Sequence, residues 1–169
     1  MLVQQAIFKI EKIITKDNCK KMISYMDKHC KTKAEVIGKN NQPQTDTKTR
    51  DVLSHSVKEA ITKYSKIIKF LGRLHLHEIN LLKYEKGNFY IKHVDASSSL
   101  NRTISIIINL NEDYEGGDVL FFNPMTQMVY SKADLKAGDM ILFPSNFLYP
   151  HRVTTITKGC RYSIVTWLS

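Results

Sequence analysis

Cysteine is scarce in this chain. Three residues in 169, Cys19, Cys30 and Cys160, form no CxxC pair. An odd, widely spaced set excludes a disulfide framework and a zinc ribbon, and it fits a reducing compartment. Long apolar runs are missing too. None approaches the ~18–20 residues of a membrane-spanning helix, so no membrane partner is expected. The opening stretch MLVQQAIFKIEKIITKDN interleaves charges with its apolar positions and holds no cleavable apolar region. No secretory signal is read there, and the cytoplasm (the host's, for a viral source) is the expected location. There is no arginine-rich arm and no basic run interleaved with aromatics. The 25 lysines and arginines against 16 acids, a net charge of +9, are scattered along KIEK, KTK and KEAITKYSKIIK. Such scatter fits solvated faces better than a nucleic-acid groove, and no specific nucleic-acid partner is expected.

A 43% hydrophobic, 24% charged composition is that of an ordinary globular chain long enough to bury a core. No repeat or composition break divides it, so one domain over 1–169 is expected. Residues 17–30, DNCKKMISYMDKHC, predict an amphipathic helix with Asp17 as N-cap and Cys19, Met22, Ile23 and Met26 as its apolar stripe. Residues 38–50, GKNNQPQTDTKTR, predict a polar loop. A second helix is predicted over 54–71. After Gly72 the period changes from 3.6 to 2, with short apolar runs at 74–84, 88–94, 103–111, 118–122, 127–131, 139–143, 148–156 and 161–168. EKGN, NEDYEGG, NPMT, KAGD and TKG separate them as turns. Helices to about residue 72 followed by about eight strands predict an α+β chain built on a β-sandwich or jelly roll.

Within the second strand, FYIKHVDAS places His93 and Asp95 two apart, hence on one face of an extended chain. Two readings stand at this point: a surface strand with two polar residues, or half of a metal site. Two histidines and one carboxylate on one face of an ion, with the remaining positions open, suit a non-haem Fe(II) centre. The second histidine must come from elsewhere. His29 and His55 fall on or beside helices, and His75 and His77 form a pair that Glu78 has the wrong parity to join. His151 stands in FLYPHRV, at the start of a β-branched run. Ten residues later KGCRYSIVTWLS puts Arg161, Ser163, Val165 and Trp167 on one strand face. An arginine with a serine two residues on offers a guanidinium fork and a hydroxyl to a single carboxylate.

From about residue 80 onward, LLKYEKGNFYIKHVD, RTISIIINLNEDYEGGDVLFF, LKAGDMILFPS and YPHRVTTITKGCRYSIVTW resemble, in order and spacing, the core of the Fe(II)- and 2-oxoglutarate-dependent oxygenases of the prolyl 4-hydroxylase and PKHD type. TKTRDVLS at 47–54 resembles the arginine-bearing segment that precedes that core. The resemblance implies a double-stranded β-helix, or jelly roll, with N-terminal supporting helices. It implies Fe(II) held by His93, Asp95 and His151, and 2-oxoglutarate held by Arg161 with Ser163. Tyr84 takes the place of a tyrosine near the cosubstrate, and Tyr90 of one near the iron. Asn109 departs from the pattern, standing where some relatives carry a tyrosine for the same carboxylate. Trp167 reads as a pocket wall or as core. Arg50 and Asp51 fall where relatives fold a segment over substrate. The implied reaction is hydroxylation of an unactivated C–H with release of succinate and CO₂, using O₂ as cosubstrate and ascorbate as reductant. The first expected substrate is a prolyl residue of a protein or peptide; a free amino acid or small metabolite is the alternative. A related nucleic-acid demethylase would carry a second arginine six residues after Arg161, where this chain has Trp167. A non-catalytic binding module would have lost a ligand or the arginine, and all four are present.

Overall fold

The structure, a computed structural model, describes residues 6–29 and 74–169 and, between them, the helical positions His55, Lys58 and Thr62. The 38–50 loop, the TKTRDVLS segment, Arg50 and Asp51, most of the second predicted helix and the side chains of His77 and Glu78 lie outside the described residues.

The chain opens with a short strand β1 (Phe8–Ile10) and a helix α1 (Lys16–His29). Thr15, not Asp17, caps the helix: its Oγ1 accepts from the Asn18 backbone N–H at 3.3 Å. Asp17 sits inside the first turn and pairs with Lys21 at 2.8 Å. A carboxylate there still suits the positive end of the helix dipole. Cys19, Met22 and Met26 form the buried stripe, with Ile23 at its border. Each buried methionine contributes on the order of 2 kcal/mol, so Met26→Asp would strip the helix from the sheet beneath it.

That sheet has five strands in the order β1-β8-β4-β11-β2. They are β2 (Leu76–Tyr84), β4 (Ile104–Asn109), β8 (Met140–Pro144) and β11 (Arg161–Leu168) with β1 at the edge. Facing it is a four-stranded sheet, β3-β9-β6-β7, made of β3 (Tyr90–His93), β6 (Val119–Phe122), β7 (Val129–Ala133) and β9 (His151–Val153). A third ribbon pairs β5 (Tyr114–Gly116) with β10 (Ile156–Gly159). Two antiparallel sheets laid face to face are the expected jelly roll.

The major sheet is covered on both faces, which explains why β4 reads ISIIIN with every residue buried. Ile106 and Ile108 pack toward α1 with Leu142, Tyr162 and Ile164. Ile107, Ile141 and Phe143 point the other way, onto Val119, Phe121 and Val153 of the minor sheet. By the same alternation β11 gives Tyr162, Ile164 and Leu168 to the helix side and Arg161, Ser163 and Trp167 to the interior.

Three local expectations change. The predicted run 148–156 divides into β9 and β10, and its residues join different sheets. YEGG is no simple turn: Tyr114–Gly116 pairs with β10, and Gly116 and Gly117 both take positive φ, at 79° and 67°. β3 ends at His93, so Asp95 lies beyond the strand and parity does not set its direction. A bulge in β3 sets Tyr90 opposite Val153 and His93 opposite His151, three residues against two. It turns Tyr90 and His93 to the same side and leaves Ile91 and Lys92 exposed.

Candidate metal centre and carboxylate pocket

His93 and His151 are cross-strand partners in the β3–β9 ladder, which holds their rings 4.3 Å apart. Each ring bonds through Nδ1 to the carbonyl two residues earlier: His93 to Ile91 at 2.9 Å, His151 to Tyr149 at 3.1 Å. A carbonyl only accepts, so both Nδ1 atoms carry the proton and both Nε2 atoms present lone pairs. Those Nε2 atoms lie 3.2 and 3.6 Å from Asp95 Oδ1 and Oδ2. One ligand atom from each of the three residues falls within 4.8 Å of the others. The donor set, two neutral imidazoles with locked tautomers and a carboxylate on one side, suits Fe(II).

Asp95 is positioned by groups that sequence reading did not single out. Its backbone N–H reaches the Ser145 carbonyl at 3.2 Å, and Ser105 Oγ donates to Oδ2 at 2.5 Å. Ser105 has one proton, so Ser145 Oγ, 2.8 Å away, donates to Ser105 in turn. Burial alone would raise the Asp95 pKa. The His93 and His151 imidazoles, in the metal-free state where a proton can sit on Nε2, and the Ser105 hydroxyl outweigh it and hold the carboxyl well below the usual range. Burial lowers the His151 pKa and keeps that ring a neutral ligand, with Phe121 and Phe143 packed against it. The Tyr90 ring lies tilted against His93, with centroids 4.5 Å apart. Trp167 lies across the ladder from Ser105, and its Nε1 is buried with no hydrogen-bond partner among the described residues. The Arg102 guanidinium covers the Trp167 ring at 3.5 Å and its Nη1 reaches the Asp95 carbonyl at 3.4 Å.

Arg161 is 2% exposed. Its guanidinium donates to Ser163 Oγ at 3.1 Å and lies 5.2 Å from the Tyr84 ring, its neighbour in the β11–β2 register. No carboxylate pairs with it among the described residues. A buried guanidinium without a counter-charge is costly, which marks it as a seat for an anionic ligand. Burial pushes the Tyr84 hydroxyl up to about 12, against the pull of Arg161, so it stays protonated. A cavity of about 130 Å³ adjoins Arg161, lined also by Tyr114, Gly117, Val119 and Leu135. Gly117 is required here: a Cβ would stand 2.5 Å from Ile156 Cδ1 and 2.9 Å from Arg161 Cδ.

Asn109 is placed beside this pocket but is committed to the protein. Its amide donates to the carbonyls of Asn111 at 2.6 Å and Leu135 at 3.2 Å, and its Oδ1 accepts from Tyr114 at 3.2 Å. It therefore positions Tyr114 and has no free donor for a ligand carboxylate. Asn111, also missed in the sequence, brackets Arg161. It donates to the Cys160 carbonyl at 2.7 Å and accepts from the Tyr162 N–H at 2.8 Å. An asparagine at a strand end gives no sequence signal for such a clamp.

Residues 79–169 match the family model of the 2OG-Fe(II) oxygenase superfamily. A PKHD-type hydroxylase of Picosynechococcus sp. is 29% identical over 139 residues, 80% of this chain and 61% of that protein. One from Synechococcus sp. (strain JA-2-3B'a(2-13)) is 32% identical over 101 residues, 55% of this chain and 43% of the relative. The match thus spans between about two fifths and three fifths of the length of these curated relatives. Among solved structures, the viral collagen prolyl hydroxylase of Paramecium Bursaria Chlorella virus-1 superposes with a TM-score of 0.71 at 16% identity, covering 96% of this chain and 95% of that one. A Pseudomonas putida prolyl-4-hydroxylase does so at 0.69 and 17% identity, covering 98% and 88%. At these identities the likeness speaks for the fold.

Proposed function

Because the chain belongs to the 2OG-Fe(II) oxygenase superfamily, we propose that it hydroxylates an unactivated C–H, that of a prolyl residue in a protein or peptide. One observation carries the reading: His93, Asp95 and His151 bring their ligand atoms within 4.8 Å of one another, and the same chain buries Arg161 with no counter-charge among the described residues. When bound, Fe(II) with 2-oxoglutarate and O₂ supplies the oxidation, releasing succinate and CO₂. The chain's own residues do the placing. Through two Nε2 lone pairs and an ionised carboxylate, His93, His151 and Asp95 would hold the metal, whose remaining positions would be open to cosubstrate. Arg161 and Ser163 seize the far carboxylate of 2-oxoglutarate with a charged fork and a hydroxyl. That carboxylate fixes the molecule end-on, so its 2-oxo acid end is delivered toward the metal. Tyr84 packs against the guanidinium and keeps water from it. Tyr90 and Trp167 wall the metal side, where a five-membered ring would lie against aromatic faces. Ascorbate fits as the external reductant of such a centre.

The prolyl assignment is supported by the two structural neighbours above, both of which are prolyl hydroxylases. The test is to incubate the protein with Fe(II), 2-oxoglutarate, ascorbate and proline-containing peptides, following succinate release and a +16 mass shift. A shift on prolyl residues, stoichiometric with succinate, is expected. Succinate without any peptide shift, or a shift only on free amino acids, would overturn the substrate.

A further inference from the structure

The residues that follow each other around the two histidine ligands face opposite ways. His93 and His151 turn inward, while their chain neighbours Lys92 and Arg152 emerge on the outer face of the minor sheet. There both cations cover one ring: Lys92 Nζ stands 5.1 Å and the Arg152 guanidinium 5.5 Å from the centroid of Phe122. Lys92 also reaches the side-chain oxygen of Gln127 in the β6–β7 turn at 2.5 Å. Neither cation meets a carboxylate among the described residues. Their surroundings are apolar and open. Phe89 is 56% exposed, Ile91 49% and Met128 70%. Phe89, Ile91, Lys92, Phe122 and Arg152 line a single groove of about 370 Å³.

A groove that sets two cations, neither paired with a carboxylate among the described residues, amid exposed apolar side chains is complementary to a segment that carries both apolar and acidic residues. β3 is also the edge strand of its sheet among the described residues, and it ends at a metal ligand. A chain lying in the groove and crossing that edge at Ile91 arrives directly at His93. We propose that this outer groove is a docking site for an extended, acidic and apolar segment of the polypeptide substrate, separate from the residue that is oxidised. Contact there holds the substrate chain by charge and apolar burial while the inner pocket selects the reacting C–H. The proposal rests on the reading that the substrate is a polypeptide.

The experiment reads binding without turnover, so it is scored independently of whether any peptide is hydroxylated. The probe is a fluorescein-labelled, end-capped dodecapeptide of alternating Glu and Leu, titrated by anisotropy; a Lys and Leu peptide of the same length and a 12-nucleotide single-stranded DNA are the comparisons. The Glu–Leu peptide is expected to bind at least tenfold more tightly than the Lys–Leu peptide, with affinity falling as salt rises. The double change Lys92→Glu with Arg152→Glu is expected to invert that order. Lys92→Gln with Arg152→Gln should weaken the Glu–Leu peptide about tenfold while leaving Mn(II) binding at the histidine–aspartate cluster unchanged, which shows the fold intact. Equal binding of the two peptides, no response to either double change, tighter binding of the DNA than of the acidic peptide, or a concentration-dependent dimer abolished by the charge reversal would each overturn it.

Discussion

Replacing Arg161 by methionine separates the carboxylate pocket from the metal. The guanidinium is buried, touches Ser163 and Tyr84, and has no acidic partner among the described residues. In ligand-free protein it is a desolvated charge, so Met, which keeps the unbranched stem, should leave stability unchanged or raise it. With ligand the sign reverses. If 2-oxoglutarate binds the Mn(II)-loaded, oxygen-free protein, a concentration of 100 Kd stabilises by about 2.7 kcal/mol. For a chain of this size about 1 kcal/mol moves the midpoint by roughly 2–4 °C, so the wild-type shift is about 5–11 °C. Loss of the fork is expected to weaken binding about 100-fold, since lysine or an apolar group cannot reproduce two parallel bonds to one carboxylate. At the same ligand concentration the Met variant then gains only RT ln 2, about 0.4 kcal/mol, a shift near 1 °C. Arg161→Lys should fall between the two. Thermal unfolding with and without 2-oxoglutarate, beside a Mn(II) titration, measures all three. A full ligand shift in Arg161→Met, or loss of Mn(II) binding together with the shift, would refute the assignment.

Other changes test the remaining parts of the site. His93→Ala, Asp95→Ala and His151→Ala should each abolish turnover and reduce Mn(II) affinity while far-ultraviolet circular dichroism stays that of the wild type; a wild-type rate in any one removes that residue from the centre. Ser105→Ala deletes the hydroxyl on Asp95 Oδ2 and leaves the ligands in place. Metal affinity should fall about 10–100-fold, as for other groups that orient a ligand, and calorimetry showing no loss would mean the hydroxyl is incidental. Asp139, 2% exposed, accepts from the Lys12 and Lys136 N–H groups at 3.0 Å each and pairs with Lys9 at 3.0 Å. Burial raises its pKa, but those bonds outweigh it and the net shift is downward. A lowered carboxyl contributes stability that is present above its unfolded value, about 3.9, and is lost as pH falls through the folded one. Asp139→Asn should therefore cost on the order of 2 kcal/mol at pH 7 in urea unfolding, with the gap to wild type narrowing below about pH 4; a gap constant down to pH 2 would contradict this.

Periodicity by itself determined the α1 stripe and seven of the strand positions, because burial against a sheet imposes 3.6 on a helix and 2 on a strand whatever lies opposite. Residue type and spacing made His93, Asp95, His151 and Arg161 candidates, since few other side chains ligate iron or fork a carboxylate, and the family resemblance gave them their expected roles. Other features came only with the tertiary structure, and each for the same reason: they depend on what another strand presents. The start of α1 turned on Thr15 because Thr15 and Asp17, two positions apart, both cap well. The YEGG strand formed because β10 lies beside it, and β1 because β8 offers an edge. Asp95 lies past the end of β3, so its direction is set by Ser105 and Ser145, 10 and 50 residues further along the chain. His93 and His151 meet because the β3 bulge brings them into register, a one-residue shift that no local pattern encodes. Asn109 stood at a plausible ligand position by alignment of motifs, yet its amide is consumed by two carbonyls and a tyrosine that only the folded chain brings near. The chemistry was legible residue by residue; the hydrogen-bond partners that aim it were long-range, and long-range contacts are written in the packing of the sheets.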